Sequence, residues 1–462
     1  MAGIKEYEIA WIGESVETDF NSITLTPSEL ISCRGEIGDF QLEYKHNDRT
    51  NKIKVSNIVI NLPHFAEMYN DSWSSLFAGD PELKDDEAVI ILQDYPQLSA
   101  AAVSHIALKK ALKLKRKDPE REVYYLYQAM RFMEDNDQLY EKAREKNIVF
   151  LKFDLGRLEI PEDNKVKYQR EDIDLELSGN IIAAPELKPP PELKRLKRIL
   201  NLPEGYKDYL QPDNIYLQPT LSGKRGVYLL RGSRGPTSLT YYREELDFTL
   251  AEIARNLQGV EPVDDQERVV DDQKCIVCYT CYRVCPHGAI ERDEELNSMK
   301  ILNLACQGCN LCISRCPSGA ISLKEGELLQ KNNEIKEKDK KPGLIICENS
   351  AEIAAENYQA TNGEDPLADF EVMVVPCVST VKREDIFSLL TEEREILILG
   401  CIPEACKHIT GHERCQQVVD RVKNDLEKLE LSPERINYYK LSPRMAADLA
   451  GFLADWKGEM VK

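Results

Sequence analysis

Apolar residues along this chain fall in short runs whose spacing shifts from one stretch to the next. Near the start, Tyr7 to Ile12 is a short apolar run, and Asp39-Phe-Gln-Leu-Glu-Tyr44 alternates apolar with polar. The turn residues His46-Asn-Asp-Arg49 follow, then Ile53-Lys-Val55 and Ile58-Val-Ile60, an order that predicts a hairpin within residues 1–80. From 86 to 156 the pattern predicts β-α-β-α-β. Ala88–Leu92 reads as a strand, Ala101, Val103, Ile106, Ala107, Ala111 and Leu114 as one side of a helix, and Glu122–Tyr127 as a strand. A helix from Gln138 and a strand at Ile148–Leu151 complete it. Such alternation builds a parallel sheet. Beyond it the pattern predicts a strand at Asn180–Ala184, a basic amphipathic helix at Glu192–Leu200, a strand at Gly226–Leu230 and a helix near Glu244–Leu257. Residues 325–342 are polar and highly charged and read as a linker. Residues 343–462 repeat the α/β pattern, with strands at Gly343–Ile346, Glu371–Val375 and Ile396–Leu399. Helices are expected near Glu352–Tyr358, Arg383–Leu390, Glu413–Leu429 and Pro443–Trp456.

Length and charge narrow the class. A chain of 462 residues is expected to hold about two to four domains. A formal charge of −20 argues against nucleic acid and against an anionic membrane surface as partners. No apolar run approaches membrane-spanning length, and the first residues lack the apolar stretch of a signal peptide, so a cytoplasmic location is expected. Fourteen cysteines without a secretory signal point to a reducing, oxygen-poor setting.

The cysteines change the picture most. Cys275, Cys278, Cys281 and Cys285 are spaced C-x2-C-x2-C-x3-C-P, and Cys306, Cys309, Cys312 and Cys316 repeat that spacing. This is the run that holds 4Fe–4S clusters in two-cluster ferredoxins, where the fourth cysteine of each run ligates the other cluster. The expected sets are therefore Cys275, Cys278, Cys281 and Cys316 for one cluster, and Cys306, Cys309, Cys312 and Cys285 for the other. Two-residue gaps let the backbone curl round a corner of the cubane and turn N–H groups toward its negative charge. Zinc also binds C-x2-C pairs, but two full runs each closed by Cys-Pro favour iron–sulfur clusters. Arg283 and Arg315, just before cluster cysteines, would raise reduction potentials if they lie close to sulfur; solvated surface arginines are the plainer reading.

In the last α/β unit, Cys347, Cys377 and Cys401 each follow a predicted strand, and Cys406 comes shortly after. Strand C-termini of a parallel sheet share one edge, so four thiols should gather there. A 2Fe–2S cluster, a zinc site and a set of reduced thiols all remain open. His408 and His412, at helical i, i+4 spacing, are candidate ligands, with positions at the surface or behind the ligands the simpler reading. Cys33 reads as a small buried hydrophobe. Lys194, Arg195, Lys197 and Arg198 form a candidate docking patch, or a solvated helix face.

Two resemblances follow from these residues. The order Asp39-Phe-Gln-Leu, Ile58-Val-Ile60, the sheet from Ala88, Arg144-Glu-Lys-Asn-Ile-Val-Phe and Gly226-Val-Tyr-Leu-Leu-Arg-Gly-Ser-Arg-Gly-Pro236 resembles the A-type chain of heterodisulfide reductase. The resemblance implies a thioredoxin-reductase-like region over 1–262 and a two-cluster ferredoxin domain over 263–324. It departs from the family at the FAD site: the N-terminal βαβ unit with its Gly-rich loop has no counterpart, and Asn61-Leu-Pro63, Ala183-Ala-Pro185 and Gln93-Asp-Tyr-Pro96 stand where the family has flavin or cysteine motifs. G-x-G-x-x-G is absent from the chain, so nicotinamide binding is not expected. FAD is not expected either; only Arg231, Gly232 and Gly235 remain as phosphate contacts. Residues 343–462, with Gly400-Cys-Ile-Pro-Glu-Ala-Cys-Lys-His-Ile-Thr-Gly411, resemble the delta subunit of methyl-viologen-reducing hydrogenase, which implies a 2Fe–2S cluster. Ser350 replaces the second cysteine of that family's first C-x2-C pair.

The expected fold class is α/β multidomain: a degenerate flavoprotein-like α/β region, an α+β ferredoxin domain and a C-terminal α/β domain. No nucleophile–base pair has a context, so no catalytic residue is assigned. The expected function is electron transfer within an anaerobic oxidoreductase complex. The expected partners are a flavin-bearing heterodisulfide reductase A-like chain, heterodisulfide reductase B/C-like chains, a hydrogenase or a formate dehydrogenase. Two alternatives stand beside it: a flavin-dependent oxidoreductase component, electron-bifurcating or not, and a purely structural docking component.

Overall fold

The computed structural model describes residues 4–67, 74–77, 87–93, 100–130, 136–154, 158–159, 165–170, 173–214, 218–235, 241–263, 267–324, 341–390, 395–403 and 406–460. The expected linker at 325–342, apart from its last two residues, and the turn at 94–99 lie outside them.

The N-terminal sheet is built on one long strand, Arg49–Leu62, of 14 residues. The sequence pattern predicts two separate strands here. The structure runs them together because each half has its own partner on one side. Residues 49–55 pair antiparallel with Phe40–His46, and 58–62 pair parallel with Val227–Arg231. Lys5–Gly13 runs parallel along the other side. The hairpin turn places Asn47 and Asp48 at φ 48° and 59°, the primed geometry that matches strand twist. Lys5–Gly13 also pairs in parallel with Ser22–Leu25, and residues 14–21 connect them without a helix. Two parallel strands with no helix between them do not make a βαβ unit.

A second sheet follows the predicted alternation. Val149–Lys152, Val123–Tyr127, Ala88–Gln93 and Ile173–Ala183 are adjacent and parallel. Its edge continues antiparallel through Lys165–Arg170. Helix Ala100–Lys117 packs Val103, Ala107, Leu108 and Ala111 onto the strands.

The ferredoxin unit is two matching halves. Arg268–Val270 pairs with Ile321–Leu323, and Ile290–Asp293 with Ser298–Ile301, around short helices Thr280–Val284 and Leu311–Arg315. In the C-terminal unit four parallel strands run in the order Glu371–Val375, Gly343–Cys347, Ile396–Cys401, Ile436–Leu441. The fourth strand escapes the pattern because Ile436-Asn-Tyr-Tyr-Lys-Leu441 is an edge strand with exposed polar positions rather than an aliphatic run. Helix Gly411–Lys428 covers one face with Val418, Val419, Val422 and Leu426, and helix Ala446–Met460 the other with Leu449, Leu453 and Trp456. Burying both faces of a parallel sheet explains its Val/Ile/Leu-rich central strands. The expected mixed α/β class is what the chain adopts.

Candidate metal centres

Each cysteine run curls as its spacing requires. Val277 and Tyr279 in the first loop, and Gly308 and Asn310 in the second, occupy left-handed conformations at matching positions. These reversals let successive thiols face one point. Cys275, Cys278, Cys281 and Cys316 line a single cavity. Cys285, Cys306, Cys309 and Cys312 form the second set, each interacting electrostatically with others of the four. The fourth cysteine of each run thus lies with the opposite run. Backbone N–H groups point at sulfur: Ala289 N donates to Cys285 Sγ at 3.4 Å and Ala320 N to Cys316 Sγ at 3.2 Å. Thr280 Oγ1 lies 3.3 Å from Cys278 Sγ and holds that thiol below its ordinary pKa. Burial pushes Cys281 up to about 11, with Cys275, Cys278 and Cys316 adding repulsion. Burial raises Cys285 and Cys309 as well. Four thiolates can share such a pocket only around a cation, which is the chemistry of a metal–sulfur site.

Arg268 carries no signal in the sequence. Buried, it donates from Nε to Asn310 Oδ1 at 2.8 Å and from Nη2 to Gly308 O at 3.1 Å, bracing the second loop. Arg283 donates to Cys278 O at 2.7 Å, beside the first thiol set. Burial, with the charges of Arg414 and Arg421 nearby, lowers the pKa of Arg315.

The four C-terminal thiols do gather at the strand ends. Cys347 Sγ and Cys401 Sγ are 3.7 Å apart. Cys377 and Cys406 both lie against Gly411, where an added Cβ would come within 2.6 Å of Cys377 Sγ and 3.3 Å of Cys406 Sγ. Ser379 Oγ bonds Cys377 Sγ at 3.0 Å. All four cysteines are buried, as is Cys415 on the helix behind them. Ser350 takes no place among the thiols. Its hydroxyl donates to Leu441 O on the edge strand at 2.5 Å, from within the π-helical turn Glu348–Glu352.

Both histidines are buried, His408 at 2 % and His412 at 6 % exposure, which rules out the surface reading and leaves the one that sets them behind the ligands. Nor do they share a helix, since His408 precedes Gly411–Lys428. His412 interacts with Cys406. His408 Nδ1 lies 2.9 Å from His287 Nε2, and His287 Nδ1 lies 3.0 Å from Gly223 O. Burial drives His287 down to about 4 and His408 well below its usual value, so both rings are neutral. A carbonyl can only accept, so His287 Nδ1 carries a proton and His287 Nε2 does not. His408 must then donate from Nδ1, which leaves its Nε2 as an acceptor. One hydrogen-bonded line joins the N-terminal, ferredoxin and C-terminal units. Beside it Cys309, Leu311 and Cys377 form one buried apolar cluster.

The candidate phosphate loop is differently occupied. Arg231 pairs with Glu14 and stacks 5.4 Å from the Tyr242 ring centre. Asn61 Nδ2 donates to Glu14 O at 2.9 Å and Tyr242 Oη at 3.0 Å. Gly232 packs on Pro63, and Gly235 has open space beside it. The 14–21 connection offers no helix N-terminus, and the loop's cation is already neutralised. These residues do not fit a dinucleotide pyrophosphate. The basic helix Leu193–Leu200 is not one solvated face either, because Lys197 is buried and paired with Glu204 at 2.6 Å.

Comparison with known proteins agrees with this layout. Residues 268–323 match the 4Fe-4S dicluster domain, and residues 344–461 match the family "Methyl-viologen-reducing hydrogenase, delta subunit". A protein of Archaeoglobus profundus that resembles the A chain of heterodisulfide reductase is 27% identical over 203 residues, 42% of this chain and 28% of that protein. The iron–sulfur A chain of CoB–CoM heterodisulfide reductase from Methanocaldococcus jannaschii is 29% identical over 41% of this chain and 31% of that protein. The A chain of the ferredoxin/F(420)H(2)-dependent CoB-CoM heterodisulfide reductase from Methanosarcina acetivorans is 22% identical over 71% of this chain and 43% of that protein. The aligned part thus spans less than half the length of each of these relatives. The chain is similar to the A-type chain of heterodisulfide reductase and carries a hydrogenase-delta-type domain after a ferredoxin domain. Among the described residues no helix is long and apolar enough to cross a membrane.

Proposed function

We propose that this chain is an iron–sulfur electron-transfer subunit of a multisubunit oxidoreductase. In this reading Cys275, Cys278, Cys281 and Cys316 hold one 4Fe–4S cluster, and Cys285, Cys306, Cys309 and Cys312 hold a second. Cys347, Cys377, Cys401 and Cys406 hold a 2Fe–2S cluster. The observation that carries the reading is that the three thiol sets adjoin in series. Cys281 of the first set and Cys312 of the second pack in one cluster, and Cys309 of the second and Cys377 of the third pack in another. When bound, the clusters supply one-electron carriers; the protein supplies thiolates, N–H groups aimed at sulfur and an apolar surround that excludes water. The partners proposed are a flavin-bearing heterodisulfide reductase A-like chain, B/C-like chains, a hydrogenase or a formate dehydrogenase, and the location proposed is the cytoplasm.

Iron and acid-labile sulfide in protein purified without oxygen test this. About ten irons per chain are expected, against about eight if only the two cubanes assemble. Eight irons with one zinc would overturn the third centre and leave the C-terminal unit as a docking module.

A further inference from the structure

A cavity of about 710 Å³ lies between the N-terminal sheet and the ferredoxin unit. We propose that it binds a phosphorylated mononucleotide, with Lys224, Arg195 and Arg198 on the phosphate and Tyr279 and Tyr282 against the base. The inference does not depend on the third cluster or on the direction of electron flow.

Lys224 carries the argument. It is 3% exposed, and its stem runs past Gly288, where an added Cβ would come within 3.1 Å of Lys224 Cδ. Its Nζ lies 5.5 Å from the Phe40 ring centre, and among the described residues no carboxylate pairs with it. A cation this deep with no carboxylate in direct contact is costly unless something in the cavity compensates it. Cys33, in the same wall, does not, because burial keeps it a neutral thiol.

The other charges leave the hollow positive. Arg195 donates to Leu30 O, and Arg198 Nε to Lys194 O at 3.3 Å; neither has a carboxylate partner among the described residues. Of the carboxylates in the wall, Glu294 pairs with Arg34 at 3.2 Å, and Glu291, which accepts the Gly35 N–H, is outnumbered by Lys224, Arg195 and Arg198. Arg292 is bonded to Tyr279 Oη and Asn297. In a chain of net charge −20 this is a local reversal of sign. Two guanidinium groups and an ammonium on one cavity match the oxygens of a phosphate. The lining also includes two tyrosine rings, Tyr279 and Tyr282, edge to face with centroids 6.2 Å apart. The volume falls within the roughly 300–1,000 Å³ of small-molecule sites.

The test is calorimetric titration of the full-length, cluster-loaded protein with AMP, adenosine and pyrophosphate. AMP is expected to bind saturably, with adenosine and pyrophosphate each at least about tenfold weaker. Lys224→Met should weaken AMP by at least about tenfold while leaving the melting temperature equal or higher, because an uncompensated charge has gone. Arg198→Glu, an exposed change, is the second variant and should weaken AMP similarly. No AMP binding would overturn the proposal, as would pyrophosphate or adenosine binding as tightly as AMP. Unchanged affinity in both variants would do the same, and so would a lower melting temperature for Lys224→Met, which would mean that the protein already compensates this lysine.

Discussion

Ser350 is where a single side chain separates two accounts of the C-terminal centre. The resemblance to the delta family leads one to expect a cysteine at its place, and its hydroxyl is spent on Leu441 O. Ser350→Ala should therefore cost about 1 kcal/mol of stability, the worth of one buried hydrogen bond, and leave iron content unchanged. Denaturant unfolding and iron assay read the two effects separately; a loss of about two irons would make Ser350 part of the site. Asp213 gives a pH signature. Burial raises its carboxyl to about 6, against an opposing effect from Lys407. An acid with a raised folded pKa stabilises the fold below its ordinary pKa near 4 and loses that contribution as pH rises through about 6. Asp213→Asn keeps the neutral shape, so its melting temperature should match the parent near pH 4, exceed it increasingly toward pH 6, and hold a constant margin above. A margin that does not change with pH would refute this.

At the scale of elements, the central strands and long helices are legible in the sequence because period and burial agree in them. Ala88–Gln93, Val123–Tyr127 and Ile396–Cys401 are apolar runs covered on both faces, and the Cys-x2-Cys runs carry their geometry in their spacing. Edge elements are not legible. Ile436–Leu441 has polar residues facing solvent, and Ser22–Leu25 is too short to show a period. Cross-element contacts are invisible for another reason, since sequence spacing says nothing about what lies opposite. Lys197 reads as one of four docking cations, but in the fold Glu204 stands against it. One clue to the centre is nonetheless present. The two cysteine runs close as Cys-Pro-His-Gly and Cys-Pro-Ser-Gly, and the histidine at 287 in place of the serine at 318 is the residue that bonds His408.

Across the whole molecule, the His287–His408 bond is a polar tie between the ferredoxin unit and the C-terminal unit. Ile409 beside it is held at φ 58°, a conformation unusual for a β-branched residue. His408→Ala would leave His287 Nε2 buried and unpaired, costing about 1–3 kcal/mol at the interface. In the reduced protein, the magnetic interaction between the second cubane and the C-terminal centre should weaken, with iron content preserved. An unaltered spectrum would show that apolar packing around Cys309 and Cys377 suffices.

The joining of these units in one polypeptide has a kinetic meaning. Redox proteins that meet by diffusion exchange electrons at a rate set by their concentrations. Here Cys309 and Cys377 share one buried cluster within a single chain, so encounter is replaced by a fixed effective concentration. Electron passage between the ferredoxin and the C-terminal centre should then be first order and indifferent to dilution, and a scarce protein would conduct within itself as fast as an abundant one.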